Sequence, residues 1–270
     1  MTGGRGRPAE GDFPHVDADG GPSDSAGQAW AGKSIPTHGF SGDTGEAAPG
    51  LVEVLRVLEQ APTPETESAA MRAIADARWL VPVLAVATEL TEQAGSAGVS
   101  DTRTEMATVT LTAPDGSRAL PMFSSLAALA EWDASARPVA VPAVAAARAA
   151  VGEGCDVLVL DVASAHAVVL RSSMLWALAE QRTWHPSHLD PDVASALERA
   201  CRDEPAVRTH RLEAGEPAGA GLLRVVLGVH PGLQAEQISA IAARLGEQIA
   251  SDEQVRARID ALAFALEAAG

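Results

Sequence analysis

Residues 27–34 read GQAWAGKS and set Gly27, Gly32, Lys33 and Ser34 at the spacing of a phosphate-binding loop. In such a loop the backbone N–H groups and the first turn of a helix converge on phosphate oxygens, and the lysine reaches the outer phosphates. The geometry requires a buried strand before the first glycine and a helix after the serine. Residues 13–26 show no strand pattern, and Pro36 with Gly39 interrupts any helix after Ser34. A companion apolar run ending in acid does exist, Val157 to Leu160 followed by Asp161, but strand-end aspartates are common in any α/β sheet. The spacing alone therefore predicts no nucleotide site.

Other reactive side chains fail similar tests of context. Trp184-His185-Pro186-Ser187-His188-Leu189-Asp190 offers two imidazoles and a carboxylate. A zinc site needs at least one further rigid ligand, and Cys201, His210 and His230 stand at no recognised spacing from the pair, so the segment reads as a polar loop ending in a helix cap. Cys155 reads as a small buried side chain. Cys201 falls near a helix C-terminus, whose dipole does not lower a thiol pKa. Ser41 misses the G-x-S-x-G pattern because residue 43 is Asp. Gly215, Gly219 and Gly221 lie between two strand patterns and not before a helix, so they read as a hairpin loop. No catalytic residue, metal ligand or cofactor site is assigned.

One grouping suits binding. Phe123, Ser124, Ser125 and Trp132 combine a strand end, two hydroxyls at a predicted helix N-terminus and a large aromatic ring, an arrangement able to hold a peptide or a small anionic group. The same residues also suit a core Phe and Trp with capping serines.

These side chains must be positioned by elements that the pattern of apolar residues outlines. With 270 residues the chain can bury roughly three quarters of its unfolded surface. Aromatics make up 3% and Tyr is absent, so the core is expected to be built from Ala, Val and Leu. The Gly-, Pro-, Ser- and Asp-rich residues 1–48 read as a tail, with Trp30 and Phe40 as the side chains that could dock it. Leu51, Val54, Leu55 and Leu58 have helical spacing, a second helix covers about 64–77, and WLVPVLAVA at 79–87 reads as a buried strand. In MATVTLTAPDGSRALPMF, Val109 and Leu111 alternate with threonines, Pro114-Asp115-Gly116 turns the chain, and Ala119 to Phe123 return it as a β-hairpin. A helix follows, with Leu126, Leu129 and Trp132 expected on its inward side.

VAVPAVAAARAAV then supplies a strand and a helix from near Pro142, CDVLVLD and HAVVLRS two short strands, and 172–180 a helix. Asp190 and Pro191 open a connecting helix. VRTHRLEAG and LLRVVLGVH read as paired strands and LQAEQISAIAARLGEQIA as an amphipathic helix. RIDALAFALEA is favoured as a strand by the alternation of Leu262, Phe264 and Leu266, although Ile259, Leu262, Ala263 and Leu266 also satisfy a helix. The expected class is α/β (α+β): a mixed sheet with helices over 49–180, a connecting loop and helix over 181–204, and a smaller ββαβ unit over 205–270.

Several strings carry a resemblance: W-A-G-K and G-F-S-G-D within 30–43, A-R-W-L-V-P-V at 77–83, E-M-A-T-V-T-L-T-A-P-D-G-S-R-A-L-P-M-F-S-S and E-W-D-A-S-A-R-P-V within 105–139, D-V-L-V-L-D at 156–161, and W-H-P with D-P-D-V within 184–193. Together they resemble the SseB family in its actinobacterial form, well over about 30–200 and more loosely beyond, where the sequence looks like that family's separate C-terminal domain. The resemblance implies a two-part α/β protein without an assigned enzyme activity or cofactor. The family's name comes from a serine-sensitivity phenotype. A type III secretion translocon component shares that name, and its long-helical pattern is not seen here.

The formal charge of −16 and the lack of a clustered Lys/Arg surface argue against a nucleic-acid partner. The first thirty residues lack the charged and apolar regions of a signal peptide, and no apolar run has the length of a membrane span. The two cysteines form no disulfide framework. The expectation is a cytoplasmic, non-catalytic module that binds another protein. An amino-acid or small-metabolite binding protein or enzyme, linked to serine metabolism, is the alternative.

The phosphate-loop reading yields a direct prediction. Mg-ATP and Mg-GTP are expected to leave the unfolding midpoint unchanged, and Lys33→Ala to match the wild type in calorimetric titration at physiological salt. Micromolar binding that disappears in the variant would overturn the reading.

Overall fold

The computed structural model describes residues 40, 42–87, 104–114 and 116–268. The GQAWAGKS segment, Trp30, Ser41 and Asp115 of the expected hairpin turn lie outside the described residues.

Two helices lead the fold. Helix α1 (Pro49–Gln60) starts at a proline, whose missing N–H costs nothing in a first turn. It turns Leu51 into the core with Val54, Leu55 and Leu58 packed beside it. Helix α2 (Pro64–Asp76) opens with a reciprocal cap: Thr63 Oγ1 accepts from the Thr66 N–H at 3.3 Å, and Thr66 Oγ1 accepts from the Thr63 N–H at 2.8 Å. Strand β1 (Arg78–Ala87) then runs between β2 (Thr104–Thr108) and β5 (Arg137–Pro142), antiparallel to both.

A second sheet has the order β3 (Leu111–Thr112), β4 (Arg118–Met122), β6 (Val157–Leu160), β7 (Val168–Leu170), with β4 and β6 parallel. The two sheets meet where Leu80 and Phe123 exchange backbone hydrogen bonds of 2.9 and 2.8 Å. The hairpin expected over 106–123 is thus much shorter than its sequence suggests. Only Leu111↔Ala119 and Thr112↔Arg118 pair, because Thr104–Thr108 turn away to a five-residue ladder on β1 and β4 takes β6 as its other neighbour.

Helix α3 (Leu126–Trp132) buries Leu129 and half-buries Trp132. Leu126, expected inward, is 46% exposed: the first turn of this short helix lies at the rim, where the Leu126 N–H donates to Gly45 O. Helix α4 (Ala143–Gly152) packs on both sheets through Ala143, Ala146, Ala147 and Ala150, and these small side chains let it lie close to the strands. Helix α5 (Ser172–Ala179) completes the first core, in which Trp79 is fully buried and donates its indole N–H to Ile74 O.

The rest of the chain builds a second core. After a short 3-10 turn (Ser187–Leu189), helix α6 (Pro191–Arg202) is capped by Asp190, as its Asp-Pro start suggests. Its buried Val193, Leu197 and Cys201 pack with the C-terminal sheet, so this helix belongs to that core. Strands β8 (Val207–Ala214) and β9 (Leu222–Val229) are antiparallel, and helix α7 (Ala235–Ser251) leads through α8 (Glu253–Arg256) to β10 (Ala261–Ala268). The final segment is a strand, parallel to β9 along eight consecutive pairs. No helix among the described residues is long and apolar enough to cross a membrane.

The segment before α1 is held on β1 by an ion pair. Arg78 reaches Asp43 at 2.6 Å and also donates to Ser124 O and Glu46 O, while Asp43 accepts from the Gly45 N–H at 2.9 Å. The Gly45 N–H foremost, with the Arg78 guanidinium after it, holds the Asp43 carboxyl below the usual aspartate range. A depressed folded-state pKa gives stability that is present above the unfolded value, about 3.9, and is lost as pH falls through the folded value. Asp43→Asn is therefore expected to be less stable than the wild type at neutral pH, and the difference should shrink as pH drops below about 4. Denaturant melts across that range check this, and a constant difference would contradict it.

Candidate interaction site

The structure brings the four residues singled out for binding together and gives each an internal partner. Phe123 is fully buried and meets the Trp132 ring at 5.4 Å between centroids. Both pack in a small cluster with Leu80 and Leu129. Ser124 donates its backbone N–H and its hydroxyl to the two Asp161 carboxylate oxygens at 2.8 and 2.7 Å. Ser125 Oγ caps α3 by accepting from the Ala128 N–H. Asp161, at the end of β6, adopts a left-handed φ of 46° to reach Ser124. These groups lock the end of β4 to the end of β6.

His185 is exposed, His188 half-buried, and the Asp190 carboxylate is occupied: it caps α6 and accepts from Arg258 at 3.1 Å. No group of three or more His, Cys, Asp or Glu among the described residues could hold a metal ion. Both thiols are buried. Desolvation pushes Cys155 up and pushes Cys201 up to about 11, so neither is a thiolate near neutral pH.

The densest polar cluster joins the two cores, and its residues were not singled out from the sequence. Arg171, at the start of α5, donates Nε to Asp260 at 2.9 Å and Nη1 to Gly219 O, and pairs with Glu67 of α2 at 2.9 Å. Its guanidinium lies over the Trp184 ring, 5.8 Å from the centroid. Asp260 also accepts from the Ser173 N–H at 2.7 Å and the Ser173 hydroxyl at 2.9 Å, and so caps the first turn of α5 from the other core. Ser173 Oγ in turn accepts the Trp184 indole N–H. Gly221, at φ 76°, passes so close that a Cβ there would stand 2.5 Å from Arg171 Nε and 2.6 Å from Asp260. The local signals were a serine pair at a helix start and an Asp before a strand. Nothing in their spacing shows that they meet across 89 residues.

Beside this junction a groove of about 470 Å³ runs between α2, the last turn of α5 and residues 181–184. Met71, Ala75 and Leu178 form apolar walls, and Arg72, Asp76, Gln181 and Thr183 stand along it. The side chains of those four have no hydrogen-bond or ion-pair partner among the described residues. Gln181 ends α5 in the left-handed region at φ 57°, which turns the chain along the groove. Arg182 fixes that turn by donating to Ala257 O at 3.0 Å and pairing with Glu180 at 2.7 Å. A second cleft of about 220 Å³ opens on the adjoining side of α2, with Glu67, Met71, Arg171 and Met174 among its walls.

Asp260→Ala removes three hydrogen bonds and leaves the mostly buried Arg171 with Glu67 as its one carboxylate partner among the described residues. Urea unfolding is expected to show a loss of about 2–4 kcal/mol. A loss within about 0.5 kcal/mol, the range of an ordinary surface substitution, would contradict the junction's role. The buried thiols predict slow reaction with a disulfide reagent at mildly alkaline pH and a fast phase only after denaturant is added. A fast native phase would refute their burial.

No curated protein and no solved structure matches the chain. Residues 51–177, which run from α1 into α5, match the family model described as SseB protein N-terminal domain, so this part of the chain is an SseB N-terminal domain.

Proposed function

We propose that this protein is a non-catalytic interaction or regulatory module, and that the groove between α2 and residues 181–184 takes an extended segment of a partner protein. The observation that carries this reading is the contrast between two adjacent sets of polar groups. At the junction Arg171, Ser173, Trp184 and Asp260 are all engaged internally. Along the groove Arg72, Asp76, Gln181 and Thr183 have their donors and acceptors open over an apolar floor. Apolar walls with a rim of unspent polar groups suit a peptide, whose side chains fill the walls while its backbone meets the rim.

One observation favours a second reading. The cleft of about 220 Å³ is close to the size of an amino acid, and it carries a carboxylate at Glu67 and a guanidinium at Arg171, which complement an ammonium and a carboxylate. Those two groups pair with each other at 2.9 Å, so an amino acid would have to displace a formed ion pair. That cost places this reading second.

Selection of displayed random peptides on the wild type, with counter-selection on Arg72→Glu and Ala75→Trp, separates the two. Peptides that bind the wild type and lose about tenfold or more affinity on either variant support the groove. A ligand at a hundred times its dissociation constant adds about 2.7 kcal/mol of stability, so serine or another free amino acid acting as ligand would raise the unfolding midpoint clearly. Such a shift, with no groove-dependent peptide, would replace the first reading by the second.

A further inference from the structure

The C-terminal sheet has the order β10-β9-β8, so β10 and β8 are both edges, and the two edges differ in kind. The ladder between β8 and β9 shifts register between Val207 and Thr209. Along β8, Arg208 bonds His230, and Arg211 pairs with Glu213 and Glu267. A bulge and flanking charges are the devices by which sheet edges avoid further pairing. β10 reads ALAFALEA and has no bulge, no proline and no lysine: its eight pairs run without a shift, and its one charge, Glu267, is paired back across the sheet with Arg211. Among the described residues its backbone hydrogen-bond partners lie on β9 only.

We infer that the β10 edge pairs antiparallel with the β10 edge of a second copy of this chain, joining the two C-terminal sheets into one six-stranded sheet. The occupant follows from the strand's own pattern. A two-fold axis perpendicular to the sheet keeps the helix-covered faces of both copies on one side, so each residue must meet a residue of its own face. Centring the axis on Phe264 satisfies this along the strand. On the helix side Leu262 opposes Leu266 of the second copy and Phe264 opposes its equivalent, while on the other face Ala263 opposes Ala265 and Ala261 opposes Glu267. No like charges face each other. Leu266, 39% exposed in the single chain, is covered by this pairing.

Helix α7 is shaped for the same approach. Arg244 pairs with Glu204, next to α6, so that side of α7 faces α6. The opposite side carries Ile238, Ala242 and Gly246, all partly exposed, and a Cβ on Gly246 would lie 3.7 Å from the Phe264 ring. Small side chains beside the open edge let the α7 helices of two copies come together over the extended sheet and add to the buried area.

Sedimentation equilibrium of the full chain tests the inference independently of the groove, since Arg72→Glu leaves this edge untouched. The wild type is expected to approach twice the chain mass as concentration rises. Leu266→Lys, which places an inward-facing charge on the edge, is expected to weaken dimerisation at least about tenfold, with an unchanged circular dichroism spectrum. Should that variant fail to fold, Ala265→Lys applies the same test from the other face. Val169→Lys, at a 53% exposed position of β7, is expected to dimerise like the wild type. On oxidation, a mixture of Ala263→Cys and Ala265→Cys chains should cross-link to each other in preference to themselves. A wild type that stays monomeric, a dimer that survives both lysine variants, or cross-linking without the 263–265 preference would overturn the inference.

Discussion

The guanidinium of Arg171 is the hub of the contacts that join the two cores. It touches α2 through Glu67, the β8–β9 loop through Gly219, the segment before β10 through Asp260, and the ring of Trp184. Its side chain is only 19% exposed, so these contacts are screened less than a surface pair. A mostly buried cation is tolerable when it is paired, and here two carboxylates and a carbonyl give each of its three nitrogens a partner. Asp260 doubles the effect by capping α5, so that a residue of the second core completes a helix of the first.

The groove depends on that arrangement. Its α2 wall and its 181–184 wall come from distant parts of the chain, which Arg171 and Arg182 tie to the C-terminal core. Movement of that core would displace residues 181–184 and change the groove's width. This gives a physical route by which an event at the C-terminal sheet would alter binding at α2, through contacts that have to break or hold together.

Much of the fold is legible from the apolar pattern. The helical spacing of Leu51, Val54, Leu55 and Leu58, the Asp190-Pro191 cap and the ββαβ order after residue 205 all reflect local energetics that a short window contains. The alternation of Leu262, Phe264 and Leu266 marks the last strand because β9 offers it an eight-residue partner. Pairing partners are less legible. Pro114 to Gly116 announce a turn, but nothing nearby tells that Thr104–Thr108 pair with β1 across an intervening segment. Site chemistry suffers most. Phe123, Ser124 and Trp132 have the residue types of a binding surface, yet burial and Asp161 turn those groups inward. Arg171, Ser173 and Asp260 carry no motif because their relation exists only once both cores have formed.

The claim on which the account rests is that Arg171 and Asp260 act together across the two cores. A double-mutant cycle with Arg171→Ala, Asp260→Ala and the double variant, read by urea unfolding, measures it directly. Direct partners in a mostly buried network are expected to show a coupling of about 1–3 kcal/mol. Additivity within about 0.5 kcal/mol would mean that the two residues contribute separately and that the junction does not fix the groove.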